Sequence, residues 1–155
     1  AHSMKLVILA VGKGRSAPEA MLADSWMSRI HSGGEIIEVD SKLPAGPDRQ
    51  RDESTRLLRH IDAGIPLAAC DPRGRNTSSE ALAALIVDWR DAGHHSAFFA
   101  IGGADGHAAA LTDRADRMIS FGSATWPHML FRAMLAEQLY RATTILAGHP
   151  YHRSG

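Results

Sequence analysis

Ser96-Ala97-Phe98-Phe99-Ala100-Ile101-Gly102-Gly103 is a short run, apolar after its first residue, that stops on a pair of glycines. A run of this length bounded by turn residues reads as a strand covered on both faces. The pattern recurs on either side. Lys5 to Val11 is apolar after its lysine and ends at Gly12, Glu35 to Val39 is a second strand, and Pro66 to Cys70 a third. A brief strand, Arg117 to Ser120, follows the quoted stretch. Helical signals fill the gaps. Pro18 to Ile30 reads as a helix with Ser16 as its cap and Pro18 in its first turn. Asp52 to Ile61 reads as a polar helix after a loop over 40–50. Thr77 and Glu80 have the spacing of a capping box, and Leu82, Leu85, Ile86 and Trp89 then form one apolar stripe. Ala108 to Ala115 is a short helix. His128 to Ala147 is a long one, stopped by Gly148 and Pro150.

Strands alternating with helices predict an α/β fold: a mostly parallel sheet with helices on both faces. In such sheets ligands sit outside the carboxyl ends of the strands. The glycine-containing loops after Cys70 (residues 71–76), Ile101 and Ser120 are therefore the expected site. The last helix adds a clue. Met129, Leu130, Phe131, Ala133, Met134, Leu135, Ala136, Leu139, Tyr140, Ala142, Ile145 and Leu146 leave it almost no polar face, so it must be covered on more than one side. A second copy of the chain is the simplest cover, and a homodimer is expected. Glu137 and Arg141, four apart, are placed to pair.

The chain has 155 residues and is 45% hydrophobic, with no linker or repeat, so one domain over residues 4–155 is expected. Ala1, His2 and Ser3 read as a cloning remnant before Met4. Seventeen basic residues balance seventeen acidic ones, which excludes a global pull on nucleic acid and leaves only local contacts. Cys70 is the only cysteine, so no internal disulfide can form. With no apolar run of membrane-spanning length and no secretion signal, the expected location is the cytoplasm, with no membrane partner.

Several segments carry chemistry, each beside a plainer reading. Gly12-Lys13-Gly14-Arg15-Ser16-Ala17 matches a dinucleotide fingerprint, with Asp40 where a ribose-binding acid would stand. That would make the chain a nucleotide-dependent oxidoreductase, but a turn with solvated Lys13 and Arg15 explains the same residues. Gly102-Gly103-Ala104-Asp105-Gly106 suits either a ligand held by backbone groups or a tight strand-to-helix turn. Phe121 to His128 joins a strand to the long helix, with Pro127 fixing its entry and His128 in its first turn, where a neutral structural histidine is the commoner case. Cys70 reads as a small core residue as readily as a reactive thiol. The tail His149-Pro150-Tyr151-His152-Arg153 offers a stacking ring, an imidazole and a guanidinium suited to an RNA base and its phosphates, or else a frayed end. No ligand set has metal spacing, so no metal is expected.

Three of these pieces together resemble a known family: Ile101-Gly102-Gly103-x-x-Gly106, Thr125-x-Pro127-His128 entering a helix with Glu137-x-Leu139-Tyr140-Arg141-Ala142, and His149 to Arg153. The combination resembles the RlmH family of SPOUT methyltransferases over nearly the whole chain. The resemblance implies an α/β knot fold with a carboxyl-terminal trefoil knot, a homodimer, S-adenosyl-L-methionine as methyl donor, and N3 of a pseudouridine in 23S rRNA of the assembled ribosome as target. A non-catalytic ribosome-binding module on the same scaffold is the other class to separate. The resemblance implies that the methyl donor lies against Cys70, Gly102, Gly103, Gly122, Ser123, Ala124, Thr125, Trp126 and Pro127. Tyr151, His152 and Arg153 would close over the base from the other protomer, and His128, Arg132 and Arg141 would line the remainder. His152 is the expected proton acceptor and Arg153 the group that stabilises charge developing on the base. Two positions depart from the family pattern: Gly74-Arg75 replaces a Gly-Lys, and Ala104-Asp105 replaces a proline-acid pair. Arginine keeps the charge of lysine but changes its hydrogen-bond geometry.

Overall fold

The computed structural model describes residues 3–153. Ala1 and His2 of the expected remnant, and Ser154 and Gly155 of the expected domain, lie outside the described residues. The elements are β1 (Lys5–Val11), α1 (Pro18–Ser28), β2 (Gly34–Val39), α2 (Pro47–Leu58), β3 (Leu67–Asn76), α3 (Ser79–Asp91), β4 (Ser96–Ile101), α4 (Ala109–Arg114), β5 (Arg117–Ser120) and α5 (His128–Leu146). The five strands form one sheet in the order β2-β1-β4-β3-β5, and every pairing is parallel.

Side-chain alternation along each strand divides the core in two. Leu6, Ile8 and Ala10 of β1 pack with Phe99 and Ile101 against α1, α3 and α5, through Ala23, Met27, Leu82, Ile86, Leu135 and Leu139. Val7, Leu9 and Val11 pack with Phe98 and Ala100 against Leu57 of α2 and Leu111 of α4. The sheet is thus covered on both faces, as its uninterrupted apolar strands require. Helix α5 packs against both α1 and α3, which covers most of its circumference. Leu130 near its start remains exposed, as do Trp126 just before it and Met21 and Leu22 on α1.

Four local expectations are corrected. Ser16 does not cap α1: Ala17 is the N-cap, without a side-chain bond, and Pro18 occupies the first turn. Helix α2 begins at Pro47, inside the segment expected to be loop, because a proline is pre-set for a first helical turn. Helix α3 is capped by Ser78, whose Oγ accepts the Ala81 N–H at 3.0 Å, while the Thr77 hydroxyl donates to the Arg75 carbonyl. The largest difference is β3. Residues 71–76, expected as a loop, continue the strand after an irregularity, with Arg75 opposite Ile119 and Asn76 opposite Ser120. Gly74 permits this, since a Cβ there would lie 2.6 Å from the Ile119 nitrogen.

Candidate functional site

The irregular middle of β3, around Cys70 and Asp71, and the carboxyl ends of β4 and β5 meet at one cavity of about 370 Å³. Its walls include Cys70, Gly102, Gly103, Gly122, Ala124, Thr125, Trp126, Pro127 and His128, so segments far apart in sequence meet here. Ser123 belongs to the same exposed loop but does not line the cavity. Asp71 and Phe121, from two of the expected loops, also line it, as do Ile119, His107 and Phe131, which were not anticipated from sequence.

The glycine turn after β4 is closed on itself: Gly106 N–H donates to the Gly103 carbonyl at 3.0 Å, with Gly106 at φ +76°. A side chain would be crowded at both leading glycines. A Cβ on Gly102 would come 3.1 Å from the carbonyl carbon of Gly106, and one on Gly103 would come 2.9 Å from Val11 Cγ1. Helix α2 grips this turn. Arg49 pairs with Asp105 at 2.8 Å, Gln50 Nε2 donates to the carbonyls of Asp105 and His107, and Ser54 Oγ accepts the Ala108 N–H at 2.9 Å. Asp105, which keeps the acid of the pair whose proline is replaced by Ala104, thus serves to anchor the turn. Burial pushes the Glu53 carboxyl up, against the opposing pull of Arg49.

The other walls are fixed as firmly. Asp71 takes both a backbone and a bidentate side-chain bond from Arg73, and the Arg73 side chain holds its carboxyl below the ordinary range despite burial. Asn76 Oδ1 accepts the Gly122 N–H at 2.9 Å, which ties the end of β3 to the loop before α5. Phe121 stacks on Phe131 with centroids 5.4 Å apart. His107 lies buried under the turn with Nε2 3.1 Å from the Ala100 carbonyl, and burial lowers its pKa from 6.5, so the ring is uncharged at neutral pH. Burial pushes the Cys70 thiol up to about 12, so it carries no nucleophilic thiolate.

The tail forms a separate cluster within the same chain. Tyr151 donates its hydroxyl to Glu137 Oε2 at 2.8 Å, and Arg141 makes two hydrogen bonds to the same carboxylate while its guanidinium stands 4.9 Å from the centre of the Tyr151 ring. Arg141 Nη1 lies 3.1 Å from His152 Nδ1, and His152 Nε2 lies 2.9 Å from Glu80 Oε1. A guanidinium only donates. Nδ1 is therefore the acceptor and Nε2 carries the proton toward Glu80. Burial alone would raise the Glu137 pKa, but Arg141 and Tyr151 together hold it low. Tyr151, His152 and Arg141 line no part of the first cavity, and Arg153 is exposed.

Arg132, expected at the substrate, also lies apart from that cavity. Its side chain is 2% exposed and forms an ion pair with Glu38. Its Nη2 donates to the Gly12 carbonyl at 2.9 Å. Gly14 N–H donates to the same Glu38 carboxylate at 2.7 Å. The N–H groups of Gly12, Gly14 and Ala17, which a pyrophosphate would need, bond instead to Val39, Glu38 and Gly14, which argues against a dinucleotide site. Among the described residues no group of histidine, cysteine and carboxylate side chains is arranged to hold a metal. None of the described helices is long and apolar enough to cross a membrane.

A family model described as "Predicted SPOUT methyltransferase" matches residues 4–152. Among curated proteins, a ribosomal RNA large subunit methyltransferase H of Paramagnetospirillum magneticum is 47% identical over 97% of this chain and 99% of its own length. Proteins of the same name from Cereibacter sphaeroides and Rhodospirillum rubrum are 48% and 45% identical, each over 97% of this chain and at least 99% of their own. A match across almost the full described chain, with glycine loops converging at the carboxyl ends of a parallel sheet, places this chain in the SPOUT methyltransferase family.

Proposed function

We propose that the chain is an S-adenosyl-L-methionine-dependent enzyme that methylates N3 of a pseudouridine in 23S rRNA of the assembled ribosome. The observation that carries this reading is the glycine-lined cavity between the middle of β3 and the ends of β4 and β5. It has the size of an ordinary small-molecule site. The methyl donor fits its chemistry, because Gly102, Gly103 and Gly106 line the wall with bare backbone that a ligand can approach closely. Gly102, Gly103, Gly122 and the stretch Ala124 to Pro127 would hold it. When bound, it supplies an activated methyl group on a sulfonium, so the protein needs no metal.

The chain's own residues then position the base and manage its proton. The imide nitrogen must lose a proton to become nucleophilic, and His152 is placed in a tail rich in groups that suit a base. In the docked tail, Nδ1 already accepts from Arg141 and Nε2–H already faces Glu80. The tail would carry this ring into the site of a second copy. The exposed Trp126, Leu130, Met21 and Leu22 support a homodimer of that kind. Arg153, exposed beside it, would stabilise negative charge on the base.

The test is transfer of labelled methyl from S-adenosyl-L-methionine to intact ribosomes from cells lacking the enzyme. Wild-type protein should label the large-subunit RNA. A His152→Ala variant should lose most of the transfer while binding the methyl donor as before. No labelling by wild type would end the reading, and unimpaired transfer by the variant would end the proton role of His152.

A further inference from the structure

A second cavity, also of about 370 Å³, opens beside the first. Phe121 lines both, so the two are neighbours across one ring. The second is built from the end of β3, the start of α3 and the middle of α5, and two carboxamides line it, Asn76 and Gln138. Each is held by its oxygen. Gly122 N–H donates to Asn76 Oδ1 at 2.9 Å, and the Ser79 hydroxyl donates to Gln138 Oε1 at 2.6 Å. A carboxamide fixed through its oxygen presents two N–H donors. Neither amide nitrogen makes a hydrogen bond to another of the described residues. Glu137, held by Arg141 and Tyr151, forms a further side and brings the docked tail to the same place.

We propose that this second cavity is the subsite for the target base and that Asn76 and Gln138 read its imide edge. A uracil-type ring shows carbonyl, N–H, carbonyl along that edge. Two amide donors complement the two carbonyl oxygens and leave the nitrogen between them for reaction. A cytosine-type edge puts an amino group in place of one carbonyl and would set donor against donor. The inference rests on the methyl-transfer reading and adds the residues that select the base. Phe121 gives the ring an apolar, aromatic wall shared with the methyl-donor cavity, in keeping with how proteins hold unstacked bases.

Asn76→Asp and Gln138→Glu test it. Each keeps the oxygen that accepts from Gly122 or Ser79 and replaces the donating nitrogen by a carboxylate oxygen that repels the imide carbonyls. Methyl transfer to ribosomes is measured alongside calorimetric binding of S-adenosyl-L-methionine. The expected result is a KM for ribosomes raised about tenfold or more in each variant, with affinity for the methyl donor unchanged within about twofold. Gln138→Met, apolar and similar in length, should raise KM in the same direction, and it decides the matter if the charged variants do not fold. A KM within about twofold of wild type in these variants overturns the subsite. Equal loss of donor binding and ribosome binding also overturns it, because the amides would then be supporting the first cavity. If wild-type protein transfers no methyl at all, the enzymatic reading fails first and the subsite with it.

Discussion

Arg132→Met removes the cation that joins α5 to the β1–α1 turn, and its consequences follow from three contacts. The guanidinium is 2% exposed and pairs with a Glu38 side chain that is 30% exposed. Without it, Glu38 keeps only the Gly14 N–H at 2.7 Å, and the Gly12 carbonyl loses a donor at 2.9 Å. Breaking a fully buried pair from one side costs about 3–5 kcal/mol. Water reaching the part of Glu38 that is exposed reduces this, and roughly 2–3 kcal/mol is expected. For a chain of this size that is a fall in Tm of about 5–10 °C. Urea unfolding at pH 7 and thermal melts measure it.

The loss also depends on pH in a defined direction. Burial by itself would raise the Glu38 pKa, but the Arg132 side chain and the Gly14 N–H outweigh it and hold the carboxyl below its ordinary 4.5. A carboxyl with a depressed folded pKa contributes its stability above the unfolded value and loses it as pH falls through the folded one. The gap between wild type and Arg132→Met should therefore be full above pH 4.5 and shrink below it. Adding Glu38→Gln to the variant should restore about 1 kcal/mol by removing the orphaned charge. A variant that melts with wild type, yet binds ribosomes poorly, would refute this reasoning and return Arg132 to the substrate.

Three further outcomes are expected. Gly74→Ala should destabilise the protein by about 2–4 kcal/mol in urea, since its Cβ would stand 2.6 to 2.7 Å from the backbone of Met118 and Ile119, which cannot move without breaking the β3–β5 pairing. Cys70, with its thiol pushed up to about 12, should resist alkylation by iodoacetamide at pH 8 in the folded protein and react once unfolded, as followed by mass spectrometry. Glu137→Gln removes the charge that holds both Arg141 and Tyr151, so limited proteolysis should cut the tail faster and methyl transfer should fall about tenfold, with methyl-donor affinity retained.

The short-range pattern carried most of the architecture. Apolar runs such as Lys5–Val11 and Ser96–Ile101, stopped by glycine, marked strands buried on both faces and hence a parallel sheet. The apolar circumference of α5 announced that it is covered on more than one side, and α1 and α3 supply much of that cover. The glycine loops pointed to the cavity because close backbone approach is a property that composition displays.

What local pattern does not contain is partnership over distance. Residues 71–76 have no strand pattern of their own and rejoin the sheet because β5 pairs with Arg75 and Asn76 and Gly74 lets it approach. Helix α2 was only partly legible, since the prolines of 40–50 read as loop while Pro47 in fact opens the helix, and nothing local showed that Arg49, Gln50 and Ser54 would grip the glycine turn. A basic residue on a helix near the site reads as a substrate contact, yet Arg132 is committed to Glu38, almost a hundred positions away in the chain. Sequence determined which segments are strands, helices and backbone-lined loops, because those depend on neighbours a few positions apart. The tertiary structure alone decided which polar groups are occupied by the protein and which remain for a ligand, because that depends on what the fold places within hydrogen-bond reach.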